Sequence, residues 1–79
     1  MNAIEDRVFK VISEELNIPK AEIDLSVSFE QDLGMNDLDF SNLAIAFDFE
    51  FNIPMPFEDV LKFGTVEDAL DYISKRVKQ

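Results

Sequence analysis

Apolar residues recur at three- and four-residue spacing in three separate segments of this chain, and only one short stretch alternates. In the first segment they fall at Ile4, Val8, Val11, Ile12 and Leu16, the stripe of an amphipathic helix. Glu5 and Asp6 stand in its first turn, where they complement the helix dipole. Asn17-Ile18-Pro19 ends it, because a residue before proline disfavours the helical region. The last segment has Thr65 as cap and Val66, Ala69, Leu70, Ile73 and Val77 as its inward stripe, with Lys75, Arg76 and Lys78 at the end that favours cations. The central segment predicts a helix from about Asp37 to Phe51, capped by Asn36 or Asp37, with Asp39 near the next free amides. The alternating stretch is Leu25, Val27 and Phe29. No second strand candidate exists to pair with it, so it reads as an extended loop with its apolar side chains turned inward. Pro19 to Ile23 reads as a short helical turn, and Gly34 as the site of a positive φ before the central helix. Ile53-Pro54-Met55-Pro56 breaks the chain, and Phe57 to Phe63 supplies one or two further turns ending at Gly64. The expected fold is all-α: a small four-helix bundle of three main helices and one short one, with a long loop after the first, forming a single domain over residues 1–79.

The central helix is apolar on two opposite faces. One carries Phe40, Leu43, Ala44, Phe47 and Phe51; the other carries Leu38, Ile45 and Phe49, flanked by Ser41, Asn42, Asp48 and Asn52. A small helical domain buries one such face but hardly both. The second face therefore reads as an exposed apolar stripe with a polar rim, the pattern of a partner site, unless connecting loops cover it.

Composition narrows the chemistry. With 79 residues the chain suits one small domain. It has no cysteine, hence no disulfide and no thiolate, and no histidine, the commonest general base. Paired carboxylates alone need a cleft that raises one pKa, which a bundle this small rarely offers; no catalytic residue is expected. The cluster Asp32, Asn36, Asp37, Asp39 and Asn42 suggests a calcium loop, but counted from Asp32 the sixth residue is Asp37 rather than glycine and the twelfth is Leu43 rather than glutamate, so no metal ligand set is assigned. The net charge of −10 opposes nucleic acid and anionic membranes and favours basic patches on partner proteins. No apolar run is long enough to span a bilayer, and the start, MNAIEDRVFK, has no signal-peptide pattern. A cytoplasmic monomer is the expectation.

Four stretches in register carry a family resemblance. IEDRVFKVISEELNI is similar to the first helix of the acyl carrier proteins of fatty acid and polyketide synthesis. SFEQDLGMNDLDF resembles their signature, Phe-x-x-Asp-Leu-Gly followed by two residues and then Ser-Leu-Asp. FEFNIPMP resembles their Glu-Phe and Ile-Pro segment, and TVEDALDYI their Thr-Val-x-x-Ala-x-x-Tyr-Ile. The resemblance implies a carrier rather than an enzyme: a helix bundle that holds and delivers acyl intermediates on a 4′-phosphopantetheine arm, whose terminal thiol belongs to the cofactor. The arm is attached to the signature serine by a phosphopantetheinyl transferase, and the acidic helix that follows docks on basic patches of acyl-chain-processing enzymes.

Asp37 occupies the position of that serine. A carboxylate attacking the phosphate of coenzyme A would give a labile mixed anhydride, not a phosphodiester, so no arm is expected on this chain unless serine is restored. Ser41, the nearest hydroxyl, lies about one turn inside the helix. Three readings of Asp37 stand open: an introduced block in an ordinary carrier, a member that lost the carrier role and kept an arm-less interaction surface, or simply a helix cap, since aspartate caps as well as serine. The resemblance further implies partner-binding roles for Asp32, Leu38, Asp39, Asn42, Ile45, Asp48, Phe49 and Met55. It makes Phe29, Phe47, Val60 and Phe63 candidates for the region that holds an acyl chain, with ordinary core as the other reading. Phe40, Asn42 and Phe49 stand where housekeeping carriers show smaller or acidic residues, which suggests a specialised carrier with its own enzymes.

Overall fold

The computed structural model describes residues 3–77. Helix α1, Ala3–Leu16, buries Val8, Val11 and Ile12. Its end is made at Asn17, which adopts the left-handed region at φ 60°, so that the Ile18 N–H donates to the Ser13 carbonyl at 3.1 Å while the Ser13 hydroxyl donates to the Ile18 carbonyl at 2.6 Å. Orphan carbonyls of the last turn are satisfied by this closure before Pro19 is reached.

The long connection holds a 3₁₀ turn, Lys20–Glu22, then an extended segment. The Asp24 carboxylate accepts from both the Ser26 hydroxyl (2.6 Å) and the Ser26 N–H (2.9 Å); these bonds hold its carboxyl below the ordinary range. Phe29 is fully buried, and Leu25 and Val27 pack against the core. The segment stays an extended loop, as expected, and its backbone is answered by the start of the last helix rather than by a strand. Val66 and Glu67, in the first turn of the last helix, donate to the carbonyls of Val27 and Leu25, and the Phe29 N–H donates to the Gly64 carbonyl, each at 3.0 Å. Ser28 and Thr65 form one isolated antiparallel bridge. The reason is that the first amides of a helix have no intrahelical acceptors, so an extended loop laid across that end substitutes for them.

Helix α2, Asp37–Phe51, is followed by Asn52 in the left-handed region at φ 56°. Its inner face buries Phe40, Leu43, Ala44, Phe47 and Phe51. The last turn of α2 carries no basic residue; Arg7 of α1 supplies the missing charge. Its guanidinium donates to the Glu50 carbonyl (2.7 Å) and to the Glu50 carboxylate (2.9 Å) and lies 4.4 Å from the centre of the Phe51 ring. Lys10 adds a second ion pair to Glu50 at 3.3 Å. The hydrogen bond from Arg7 holds the Glu50 carboxyl below its usual range against a smaller opposing effect of burial.

A short helix α3, Phe57–Val60, begins at Pro56, and α4, Val66–Arg76, buries Val66, Ala69, Leu70 and Ile73. Thr65 stands at the N-cap of α4 as expected, and the Asp68 carboxylate reaches back to accept from Gly64 N–H (2.8 Å) and Thr65 N–H (3.1 Å). A Cβ at position 64 would come within 3.2 Å of that carboxylate oxygen, so glycine keeps the approach open. Tyr72 ties α4 to α3 by donating its hydroxyl to Asp59 at 2.8 Å, while Arg76 covers its ring at 3.5 Å. Lys75 and Arg76 close α4; Lys78 lies outside the described residues. Helix α1 packs on α2 and α4, and α2 on α3. The result is the all-α four-helix arrangement expected, with Phe29, Phe47, Ile12, Leu43, Ile73, Val8, Val60 and Val66 wholly enclosed.

Candidate functional site

The loop that precedes α2 is held by its own backbone. Asp32 and Leu33 donate to the Ser28 carbonyl, Gly34 to Glu30 and Met35 to Phe29, at 3.0 to 3.1 Å. The Asp32 carboxylate accepts from the Ser28 N–H at 2.8 Å, so this residue, expected on a partner surface, also braces the loop. Gly34 takes φ 64°, the left-handed conformation expected of it. Met35, buried at 6 % exposure, pins the loop to the core. Asn36 then caps α2: its side chain accepts from the Asp39 N–H at 2.9 Å, and the Asp39 carboxylate accepts from the Asn36 N–H at 3.1 Å, a reciprocal capping box.

Asp37 is therefore not the cap. It is the first helical residue, exposed, and its carboxylate makes no hydrogen bond among the described residues. A negative charge there interacts favourably with the helix dipole, but no hydrogen bond or ion pair among the described residues depends on it. The position offers a carboxylate in place of a hydroxyl, so the residues present do not fit phosphodiester attachment of an arm. Ser41, half-buried, lies one turn further along α2, roughly 6 Å in axial rise.

On the outer face of α2, Leu38, Ile45 and Phe49 are 67 %, 65 % and 90 % exposed. The connecting loops leave them uncovered. Asn42 and Asp48 stand beside them, both exposed; Asp39 is half-buried, with its carboxylate engaged in the capping box. Met55 does not join this surface. It is buried at 7 % exposure in the core cluster, because Pro54 and Pro56 hold that segment as a tight connection whose one apolar side chain turns inward. Phe29, Phe47, Val60 and Phe63 all belong to the core cluster, the first three without exposed surface.

A groove of about 520 Å³ runs between α1 and α2, lined by Lys10, Val11, Glu14, Glu15, Asn42, Ile45, Ala46, Phe49 and Glu50. Sequence periodicity named Ile45, Asn42 and Phe49 but not the α1 wall. Val11 belongs to the buried stripe of α1, and which polar residues border it depends on the rotation of α1 against α2. A second concavity, between α3 and α4, is lined by Asp59, Lys62, Phe63, Asp68, Asp71, Tyr72, Lys75 and Arg76.

The family model described as a phosphopantetheine attachment site matches residues 6–73. The matched span runs from the first turn of α1 into α4 and takes in the capped loop, Asp37 and the outer face of α2. Members of this family are non-catalytic carriers of acyl intermediates, bear 4′-phosphopantetheine and work with processing enzymes and with a phosphopantetheinyl transferase. Among the described residues no helix is long and apolar enough to cross a membrane. By the extent of that match and by its helical fold, this chain belongs to the phosphopantetheine attachment-site family of carrier domains.

Proposed function

We propose that this chain is a carrier-type domain of fatty acid or specialised lipid or polyketide synthesis that remains in the unmodified form because Asp37 stands where the arm would attach. In that state it presents the docking surface of a carrier, as a cytoplasmic monomer, to acyl-chain-processing enzymes with basic patches. One observation carries the reading. Asp37 is exposed at the first position of α2 and its carboxylate has no hydrogen-bond partner among the described residues, while Asn36 supplies the cap. Beyond a favourable interaction with the helix dipole, the described fold has no use for a carboxylate at 37 that a serine would not also satisfy. Asp32, Asp39 and Asp48 supply the acidic component of docking, and Leu38, Asn42, Ile45 and Phe49 the contact. Phe29, Phe47, Val60 and Phe63 are assigned as core first, and as the region an acyl chain would have to enter second.

The experiment compares this chain with Asp37→Ser. Each is incubated with coenzyme A and a broad-specificity phosphopantetheinyl transferase and weighed by intact mass spectrometry. Gain of the arm by the serine variant alone is the expected result. Gain by neither favours the second reading, an arm-less interaction module. That reading draws support from the exposed Leu38, Ile45 and Phe49, a contact surface that works without an arm. Gain by the unaltered chain, through Ser41 or another hydroxyl, overturns the assignment of Asp37 as a block.

A further inference from the structure

The segment from 23 to 36 has no helix of its own, yet it carries the chain to residue 37. A stretch that long keeps one conformation only where its backbone groups are taken up. Part of this is local, through the bonds to the backbone of Ser28 and Glu30 described above. The rest comes from the start of α4. Glu67 and Val66 donate to the carbonyls of Leu25 and Val27, and Ser28 bridges to Thr65. These bonds hold the first half of the segment; a further line of bonds reaches from α4 to the second half.

That line starts at Asp68, whose carboxylate accepts from the Gly64 N–H at 2.8 Å and from the Thr65 N–H at 3.1 Å. The Gly64 carbonyl accepts from the Phe29 N–H, and the Phe29 carbonyl accepts from the Met35 N–H, each at 3.0 Å. Met35 directly precedes Asn36, the cap of α2, and the cap sets where residue 37 stands. Side chains follow the same path. The Phe29 ring is fully buried and meets the ring of Phe40, on α2, edge to face at 6.0 Å, and Met35 is buried in the core cluster. At the α4 end burial does less. Phe63 and Val66 anchor the two sides of the turn in the core, but Gly64 and Asp68 are exposed. The orientation of the peptides between those anchors is therefore fixed by the carboxylate, in competition with water.

We propose that Asp68 is a positioning residue for the loop that presents residue 37, acting from α4 through the Gly64 and Phe29 peptides. Loss of its carboxylate frees the turn at Gly64 and Thr65. The segment from 28 to 36 then opens more often as a unit and holds the start of α2 less firmly. The consequence for attachment rests on the reading of residue 37 as the arm's position; the relay itself does not. Transfer of the arm needs the hydroxyl at 37 held in line with the phosphate it attacks, and a displacement of about 1 Å costs such a step up to about 100-fold.

Amide hydrogen exchange, read by nuclear magnetic resonance, tests the relay on the whole chain and on Asp68→Ala, Asp68→Asn and Arg7→Ala. Within each protein the loop amides are compared with those of the α1 interior. Asp68→Ala is expected to speed exchange at the Phe29 and Met35 N–H groups by about fivefold or more beyond any change in α1, the effect of losing one cap. Asp68→Asn keeps an oxygen that accepts from Gly64 and Thr65 and is expected to restore the parent pattern. Arg7→Ala loosens the other end of α2 and is expected to produce no such excess. Equal acceleration of the loop and of α1 in Asp68→Ala overturns the relay, because the loss is then one of global stability alone. The same substitutions are made in the Asp37→Ser background, and the rate of arm transfer from coenzyme A by a broad-specificity transferase is followed by mass. There Asp68→Ala is expected to lower kcat/KM by about tenfold, and Asp68→Asn to restore it. An unchanged rate in an Asp37→Ser chain that does gain the arm overturns the positioning role. Failure of Asp37→Ser itself to gain the arm counts against the attachment reading, and the exchange measurement alone then upholds or overturns the relay.

Discussion

Helices α4 and α2 start alike and differ in what their outer faces carry. Each opens with an aspartate three residues past its cap, Asp68 or Asp39, whose carboxylate folds back onto backbone N–H groups at the cap. Each lays an apolar stripe on the same core. Beyond the stripe, α4 turns Glu67, Asp71 and Lys75 to solvent, whereas α2 turns Leu38, Ile45 and Phe49. A helix that only has to hold a bundle together needs one apolar face. The additional apolar face of α2 is left mostly to solvent by the bundle, which is why it is informative about partners where α4 is not.

The largest effect should come from crossing between the faces of α2. Phe47→Ala removes a wholly enclosed ring and is expected to cost about 3 to 5 kcal/mol, much of the stability of so small a domain. Phe49→Ala, two residues on and 90 % exposed, is expected to stay within about 0.5 kcal/mol. Urea unfolding followed by circular dichroism measures both. Similar losses would mean that the outer face packs against something in the folded chain and is not a free surface.

The next pair compares the helix starts. Asn36→Ala and Asp68→Ala each remove a side chain that satisfies backbone N–H groups and should each cost about 1 kcal/mol. Asp37→Ser should cost only a few tenths, since the dipole interaction alone is lost. A loss at Asp37 as large as at Asn36 would show that the carboxylate is structural after all, and would remove the main support for exchange with serine.

A third comparison concerns the helix ends. Cations in its own last turn close α4, whereas α2 borrows Arg7 from α1. Arg7→Ala should therefore destabilise the protein by about 1 kcal/mol, whereas Lys75→Ala should leave it nearly unchanged. Denaturant midpoints of the two variants decide.

The smallest effect is a pH dependence at the same clamp. Glu50 has its folded-state pKa lowered, first by the hydrogen bond from Arg7. Its contribution to stability is thus complete above the ordinary carboxylate pKa and is lost as the pH falls through the lowered folded value. Glu50→Gln should lower stability at neutral pH and leave it nearly unchanged at acid pH, so that the acid limb flattens. An acid limb identical to that of the parent would mean that the ion pair is too well solvated to count.

Much of this was legible in the chain. The extents of α1, α2 and α4 follow from apolar periodicity bounded by Asn36, Thr65 and the prolines, and Gly34 lies at the positive φ that its place before a cap implies. The exposure of Leu38, Ile45 and Phe49 was also readable, since a bundle of this size has no second core to bury them in. Other features were not. Asn17 and Asn52 close their helices in the left-handed region, a role that asparagine tolerates but that the neighbouring prolines obscure in sequence. Met55 looks like surface in a proline-rich connection and is core. Whether Asn36 or Asp37 capped α2 was undecidable from residue type, because both can accept the same hydrogen bond; only the backbone at Asn36, extended at φ −107° and ψ −176°, selects it.

By itself, then, the sequence determined that the chain is helical, where the helices run, that α2 has one face too many for a bundle, and that position 37 lacks a hydroxyl. These are local properties, set by periodicity, caps and the chemistry of single side chains. The tertiary structure decided which groups answer one another across distance: Arg7 on the end of α2, the loop carbonyls of Leu25 and Val27 on the start of α4, and the α1 wall beside Ile45 and Phe49. Such pairings depend on how helices rotate and settle against a common core, and no spacing along one segment contains that angle.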